Sequence, residues 1–169
     1  MLRKFVVPVL ALLAVPAIAS AQFEAGDKEL TLSGTASAPK SVEGSFIGVT
    51  GSFGYFLTKE AEISLRQQVS YLDNDTDLPN VNKVSWGGLT HGAFDYHFDF
   101  GALQPFAGVY GGYEYPAGST GYAAVGPEVG AKYFVNGTTF IFVRAGYTYD
   151  LTDPSESFFV GDLGVGFRF

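Results

Sequence analysis

The chain has 169 residues and no cysteine. No disulfide can staple it, no thiolate can bind a metal or attack a substrate, and no lipidated cysteine can anchor it. Charge is also scarce: Asp, Glu, Lys and Arg make up 16% of the residues, with a net charge of −7. A chain of that sign repels a phosphate backbone, so nucleic acid is excluded as a partner. Gly-x-Ser-x-Gly and Walker-type loops are missing, which removes two common routes to hydrolase and nucleotide chemistry. What is plentiful is glycine, 22 residues, and aromatic side chains, 16%. That mix suits β-strands with bare faces better than helices.

The N-terminus begins with Arg3 and Lys4, followed by an apolar run over residues 5–18 and then Ala19-Ser20-Ala21. The run is shorter than the roughly 20 residues a membrane-spanning helix needs. A basic start, a short apolar stretch and small residues at the cleavage position predict a secretory signal peptide over 1–21, exported through the Sec pathway. Cleavage after Ala21 leaves residues 22–169, room for one domain, and moves the net charge from −7 to −9 as Arg3 and Lys4 depart.

The remaining chain alternates apolar and polar residues with period two, the signature of strands with one greasy and one polar side. The alternation predicts strands over 27–36, 44–57, 61–71, 86–98, 103–115, 122–134, 139–149 and 160–169. In the last, Leu163, Val165, Phe167 and Phe169 share one face, and Asp162, Gly164, Gly166 and Arg168 the other. Eight strands of about ten residues have the length that a tilted strand needs to cross a bilayer. An even number puts both termini at one end. The connections alternate in kind: tight at 58–60, at 99–102 and at Asn136-Gly137, a two-residue hairpin signal, and longer or Pro-containing elsewhere, with 73–83 the longest. Short turns on the periplasmic side and longer loops outside are the asymmetry of outer-membrane barrels.

The charges separate a membrane barrel from a soluble one. On this parity the apolar face carries no Asp, Glu, Lys or Arg except Lys28, at the start of its strand, where a long side chain reaches the headgroups. A charge at the bilayer midplane on that face costs about 2–4 kcal/mol for Arg or Lys. A soluble lipocalin-like barrel would invert the pattern. Gln67 also falls on the apolar face, which calls for a bulge or a register shift there. Aromatic residues bracket the strands: Tyr71, Trp86, Tyr113, Tyr115, Tyr147 and Tyr149 toward the outer ends, Tyr55, Phe98, Tyr133 and Phe169 toward the periplasmic ends. Rings with one polar edge favour the headgroup level.

Gly54-Tyr55-Phe56-Leu57-Thr58 entering a tight turn, Tyr96-His97-Phe98-Asp99 and Leu103-Gln104-Pro105-Phe106 around the next, and terminal Gly166-Phe167-Arg168-Phe169 together resemble the small outer-membrane β-barrel family that includes the OmpA-type transmembrane domain and OmpX-like proteins. The resemblance implies an all-β fold: a single eight-stranded antiparallel up-and-down transmembrane β-barrel in the cell outer membrane. It also implies that Leu163, Val165, Phe167 and Phe169 form the signal read by the barrel-assembly machinery. Lipid and lipopolysaccharide would surround such a barrel, and periplasmic chaperones would deliver it. Two departures stand out. No peptidoglycan-binding sequence follows the barrel, so a cell-wall anchor is not expected, and the short outer loops disfavour an adhesin with protruding strands.

The inward face carries the chemistry: Glu29, Glu62, Arg66, Asp95, His97, Glu114, Glu128, Lys132, Arg144, Asp162 and Arg168. An eight-stranded barrel is about wide enough for side chains to fill it, and buried charges persist only when paired. These residues therefore predict an interior salt-bridge network, with Glu128, Lys132 and Arg144 at its centre. The two histidines, His91 and His97, share a face with Asp95 and Asp99. Residues two apart along a strand lie roughly 6.5–7 Å apart, wide for one ion, so interior hydrogen bonding is the expected role and neither metal nor cofactor is predicted. The expected function is a non-enzymatic, structural or surface-interacting outer-membrane protein. The alternatives are a narrow porin-like channel for ions or small solutes, and an adhesin or receptor taking an unknown surface ligand on its loops.

Overall fold

The computed structural model describes residues 23–37, 45–73, 84–115, 120–153 and 157–169. The predicted signal peptide, and most of the loops predicted after the first, third and fifth strands, lie outside them. Eight strands form: β1 (Lys28–Ser37), β2 (Ser45–Phe56), β3 (Ala61–Asp73), β4 (Val84–His97), β5 (Leu103–Tyr115), β6 (Tyr122–Phe134), β7 (Thr139–Asp150) and β8 (Phe158–Arg168). Each pairs antiparallel with the next, and β8 returns to β1, closing the barrel. The closing seam matches Leu30 with Phe167, Leu32 with Val165 and Gly34 with Leu163. Phe169 and Lys28 exchange backbone hydrogen bonds of 2.9 Å in both directions. No sheet edge is left among these strands, which removes the unpaired backbone groups that a bilayer cannot solvate.

Both described chain ends lie at the end of the barrel that carries the three tight connections, the turn end; the opposite rim is the loop end. Side-chain oxygens hold the turns. Thr58 Oγ1 accepts from the backbone N–H of Glu60 and Ala61 at 3.2 and 3.0 Å. Asp99 Oδ1 accepts from the N–H of Gly101, whose φ of +75° favours glycine. The β6–β7 connection differs from the predicted two-residue hairpin. It spans 135–138, closed by Val135 N–H donating to the Thr139 carbonyl at 2.9 Å. Asn136 contributes its side chain: Oδ1 accepts from the N–H of Thr138 and Thr139 at 2.9 and 2.8 Å.

The two faces separate as period two requires. Glu128 and Lys132 are 4% exposed, whereas Val129 between them is 59% exposed. Leu30, Leu65, Val109, Val143 and Leu163 stand outward on their strands. Among the described strand side chains, Lys28 is the exposed outward charge. Gln67 needs neither a bulge nor a register shift, since the ladder Gly51–Gln67–Thr90 is unbroken. It faces outward and is satisfied there: its Nε2 donates to the Tyr115 hydroxyl and the Gln68 carbonyl, and its Oε1 accepts from Thr90 Oγ1 at 2.7 Å. A polar group on an apolar surface is tolerable when its neighbours complete its hydrogen bonds.

Candidate functional site in the barrel lumen

The inward side chains fill the lumen in layers. At the turn end, Phe23, Phe56, Ala102, Phe134, Phe140 and Phe142 form an apolar cluster. Phe23 comes from the segment before β1 and stacks on Phe56, with ring centroids 3.8 Å apart and 13° between planes. Phe134 and Phe140 meet this pair edge-on. These rings find room because their cross-strand neighbours are small: a Cβ on Gly166 would run into the Phe140 ring.

Above the rings sits Lys132. Its Nζ donates to Glu29 Oε2 at 2.6 Å and to Glu62 Oε2 at 2.9 Å. Its ammonium also lies 5.1–5.7 Å from the ring centroids of Phe23, Phe56, Phe106 and Phe140, within cation–π range. Glu62 Oε2 takes a further partner in His97 Nε2 at 2.9 Å. Gly54 lets the two carboxylates stand here, since a Cβ on it would lie 2.7 Å from Glu29 Cγ.

A second ionic layer centres on Arg66. Its Nη1 and Nη2 each donate to Glu128 at 2.7 Å in a two-pronged pair, and Nη2 also donates to Asp95 Oδ2 at 2.9 Å. That fork geometry suits guanidinium better than ammonium. Arg144 extends the layer: its Nε donates to Asp162 Oδ2 at 3.0 Å and stands 3.7 Å from Glu128 Oε2. Thr35 Oγ1 donates to Asp162 Oδ1 at 2.5 Å. Between the two ionic layers a gap of about 10 Å³ remains, room for about one water molecule at most.

Toward the loop end the lumen widens into a cup of about 590 Å³ whose floor is the Arg66–Glu128–Arg144 layer. His91, Tyr110, Glu114, Tyr122 and Thr148 line its wall. Tyr122 donates to Glu114 Oε2 at 2.9 Å, and the Tyr110 and Thr148 hydroxyls meet at 2.6 Å.

The predicted interior residues thus fall into separate groups. Glu29, Glu62 and Lys132 come together, as do Arg66, Asp95, Glu128, Arg144 and Asp162. Lys132 is not at one centre with Glu128 and Arg144: it lies four residues from Glu128, about 13 Å along the tilted strand and about 10 Å lower in the barrel. Glu114 stands apart from both groups, on the cup wall beside Tyr122 and 3.4 Å from His91 Nε2. Arg168 sits at the turn-end rim, 3.5 Å from Asp27 Oδ2 and donating to the Gly137 carbonyl at 2.8 Å. His91, Asp95, His97 and Asp99 do not converge, and Asp99 lies exposed in the 98–102 turn. Leu163, Val165, Phe167 and Phe169 all face outward. Parity puts Phe56, Phe134, Phe140 and Phe142 of the apolar cluster inward, a signal that the charges alone do not carry. Phe23 had no such signal, because it precedes the first alternating stretch.

No family model matches the chain, and no curated protein sequence matches it. Solved structures do. The N-terminal β-barrel domain of Pseudomonas aeruginosa OprF superposes with a TM-score of 0.57 at 21% identity, over 86% of this chain and 98% of that one. The outer membrane protein OprG of Pseudomonas aeruginosa gives a TM-score of 0.53 at 14% identity, over 88% and 98%. At such identities the likeness is one of fold: this chain folds as a small closed β-barrel of the kind found in outer-membrane proteins.

Proposed function

We propose that this chain is a non-enzymatic integral outer-membrane β-barrel protein, structural or surface-interacting in role, whose lumen is plugged. The observation that carries the reading is the division of charge: among the described strand residues nearly every charge is turned inward and most are paired, and the outward face is aliphatic and aromatic. Ten tilted residues span about 24 Å along a membrane normal, close to the roughly 25 Å apolar band of outer-membrane barrels. Lipid and lipopolysaccharide are then the surrounding partners. Export follows residues 1–21 through the Sec pathway with help from periplasmic chaperones, and Leu163, Val165, Phe167 and Phe169 are the strand that the assembly machinery reads. A stack of rings and two ionic layers, with a gap of only about 10 Å³ between the layers, support a plug rather than a pore. The test is twofold. Unheated protein in detergent gels should run ahead of boiled protein and fractionate with the outer membrane. Purified protein in planar bilayers should give no large steady current. Soluble fractionation would overturn the location, and stable single-channel currents would overturn the plug in favour of the narrow-channel reading.

A further inference from the structure

The cup at the loop end contains a carboxylate that no Lys or Arg meets among the described residues; the imidazole of His91 is the basic group nearest it. Of the acidic groups lining it, Glu128 and Asp162 are each met by guanidinium. Glu114 has no Lys or Arg within 4.0 Å among the described residues. One of its oxygens, Oε2, accepts from the Tyr122 hydroxyl; the other, Oε1, accepts no protein hydrogen bond among the described residues and stands 3.4 Å from His91 Nε2. Burying a carboxylate without a counter-charge is costly, and Glu114 is only 9% exposed.

The imidazole beside that carboxylate faces the same space. His91 is 5% exposed, lines the cup, and its Nε2 makes no hydrogen bond. Its ring is held rigidly: it stacks on Tyr110 at 5.1 Å and 26°, and a Cβ on the facing Gly112 would lie 2.9 Å from its Cδ2. Tyr110 in turn is fixed through Thr148. The wall is thus built before any ligand arrives, which lowers the cost of binding. The volume of about 590 Å³ lies in the range of small-molecule sites, about 300–1,000 Å³.

We propose that the cup binds a small organic cation with an apolar body. The ammonium would sit against Glu114 Oε1, with the Tyr110 and Tyr122 rings offering cation–π contact, and the apolar body would lie along Leu89 and Phe158. An anion is disfavoured because both floor guanidiniums, Arg66 and Arg144, are already committed to carboxylates. The inference requires the folded barrel but not the plug, since the cup lies above the ionic floor.

Calorimetric titration of the refolded full chain in zwitterionic detergent tests this with three probes of one size: phenethylammonium, 2-phenylethanol and phenylacetate. The cation should saturate with a dissociation constant of about 1 mM or below, at least about tenfold tighter than the neutral and anionic probes. Glu114→Gln should weaken the cation by about tenfold or more and leave 2-phenylethanol unchanged. Unheated gel mobility reports separately whether each protein is folded. Should Glu114→Gln fail to fold, the selectivity of the wild-type protein decides alone. Equal affinities for the three probes, no saturable cation binding, or undiminished binding by a folded Glu114→Gln variant overturns the proposal.

Discussion

Removing the ammonium from the lower ionic layer is the sharpest test of how the lumen is held. Lys132→Met keeps an unbranched side chain one atom shorter and deletes its charge. Glu62 retains His97 Nε2 at 2.9 Å, but Glu29 loses the one cation within 4.0 Å of it among the described residues. Glu29 is 3% exposed, so its carboxylate cannot turn to water without opening the turn end. Breaking a buried ion pair from one side costs about 3–5 kcal/mol. Loss of the ammonium's contacts with the surrounding rings acts in the same direction. At about 1.4 kcal/mol per tenfold, the unfolding equilibrium should shift by about two to three and a half orders of magnitude. The companion variant Glu29→Gln with Lys132→Met removes the stranded charge and should recover about half or more of the loss. Urea titration in lipid vesicles, scored by the fraction of fast-migrating unheated protein, measures both. If Lys132→Met lies within about 0.5 kcal/mol of wild type, or the double variant is no better than the single, the paired-charge account of the plug is wrong.

Three further substitutions separate the inner from the outer face. Gly54→Ala puts a Cβ 2.7 Å from Glu29 Cγ, whereas Gly51→Ala on the same strand meets nothing within 4 Å; the first should cost about 1–3 kcal/mol and the second stay within about 0.5 kcal/mol in the same urea titration. Leu65→Arg, at mid-strand on the outward face, should cost about 2–4 kcal/mol in vesicles. If that loss is absent in vesicles, the outward face is not at bilayer depth.

Much of the fold was readable because a strand's alternation needs no tertiary information. The bounds of β5 and β6 match the predicted 103–115 and 122–134. Where the pattern stopped at polar residues the strands run on: Leu72 pairs with Ser85 and Asp73 with Val84, since ladder bonds belong to the backbone. Parity gave each side chain its face and could not give its partner. Glu128 lies four residues from Lys132, yet its charge is met by Arg66 from 62 positions away, because strand tilt and stagger decide which heights meet across a lumen. Gln67 shows the same limit on the outer face. Its partners Thr90 and Tyr115 lie on two other strands and become neighbours only through the register. Glu114 in the cup was visible as an inward acid and not as one that no Lys or Arg meets among the described residues, since that depends on where every other charge goes.

The claim on which the rest stands is that the outward residues meet lipid. A single tryptophan reports it directly: replace Trp86, the chain's one tryptophan, by Phe, and introduce Leu65→Trp at mid-strand. Fluorescence of the refolded protein is then measured in vesicles whose acyl chains carry bromine at graded depths. Quenching strongest with the deepest bromines, together with insensitivity to aqueous iodide, is the predicted result. Quenching by iodide with no response to bromolipid would contradict it.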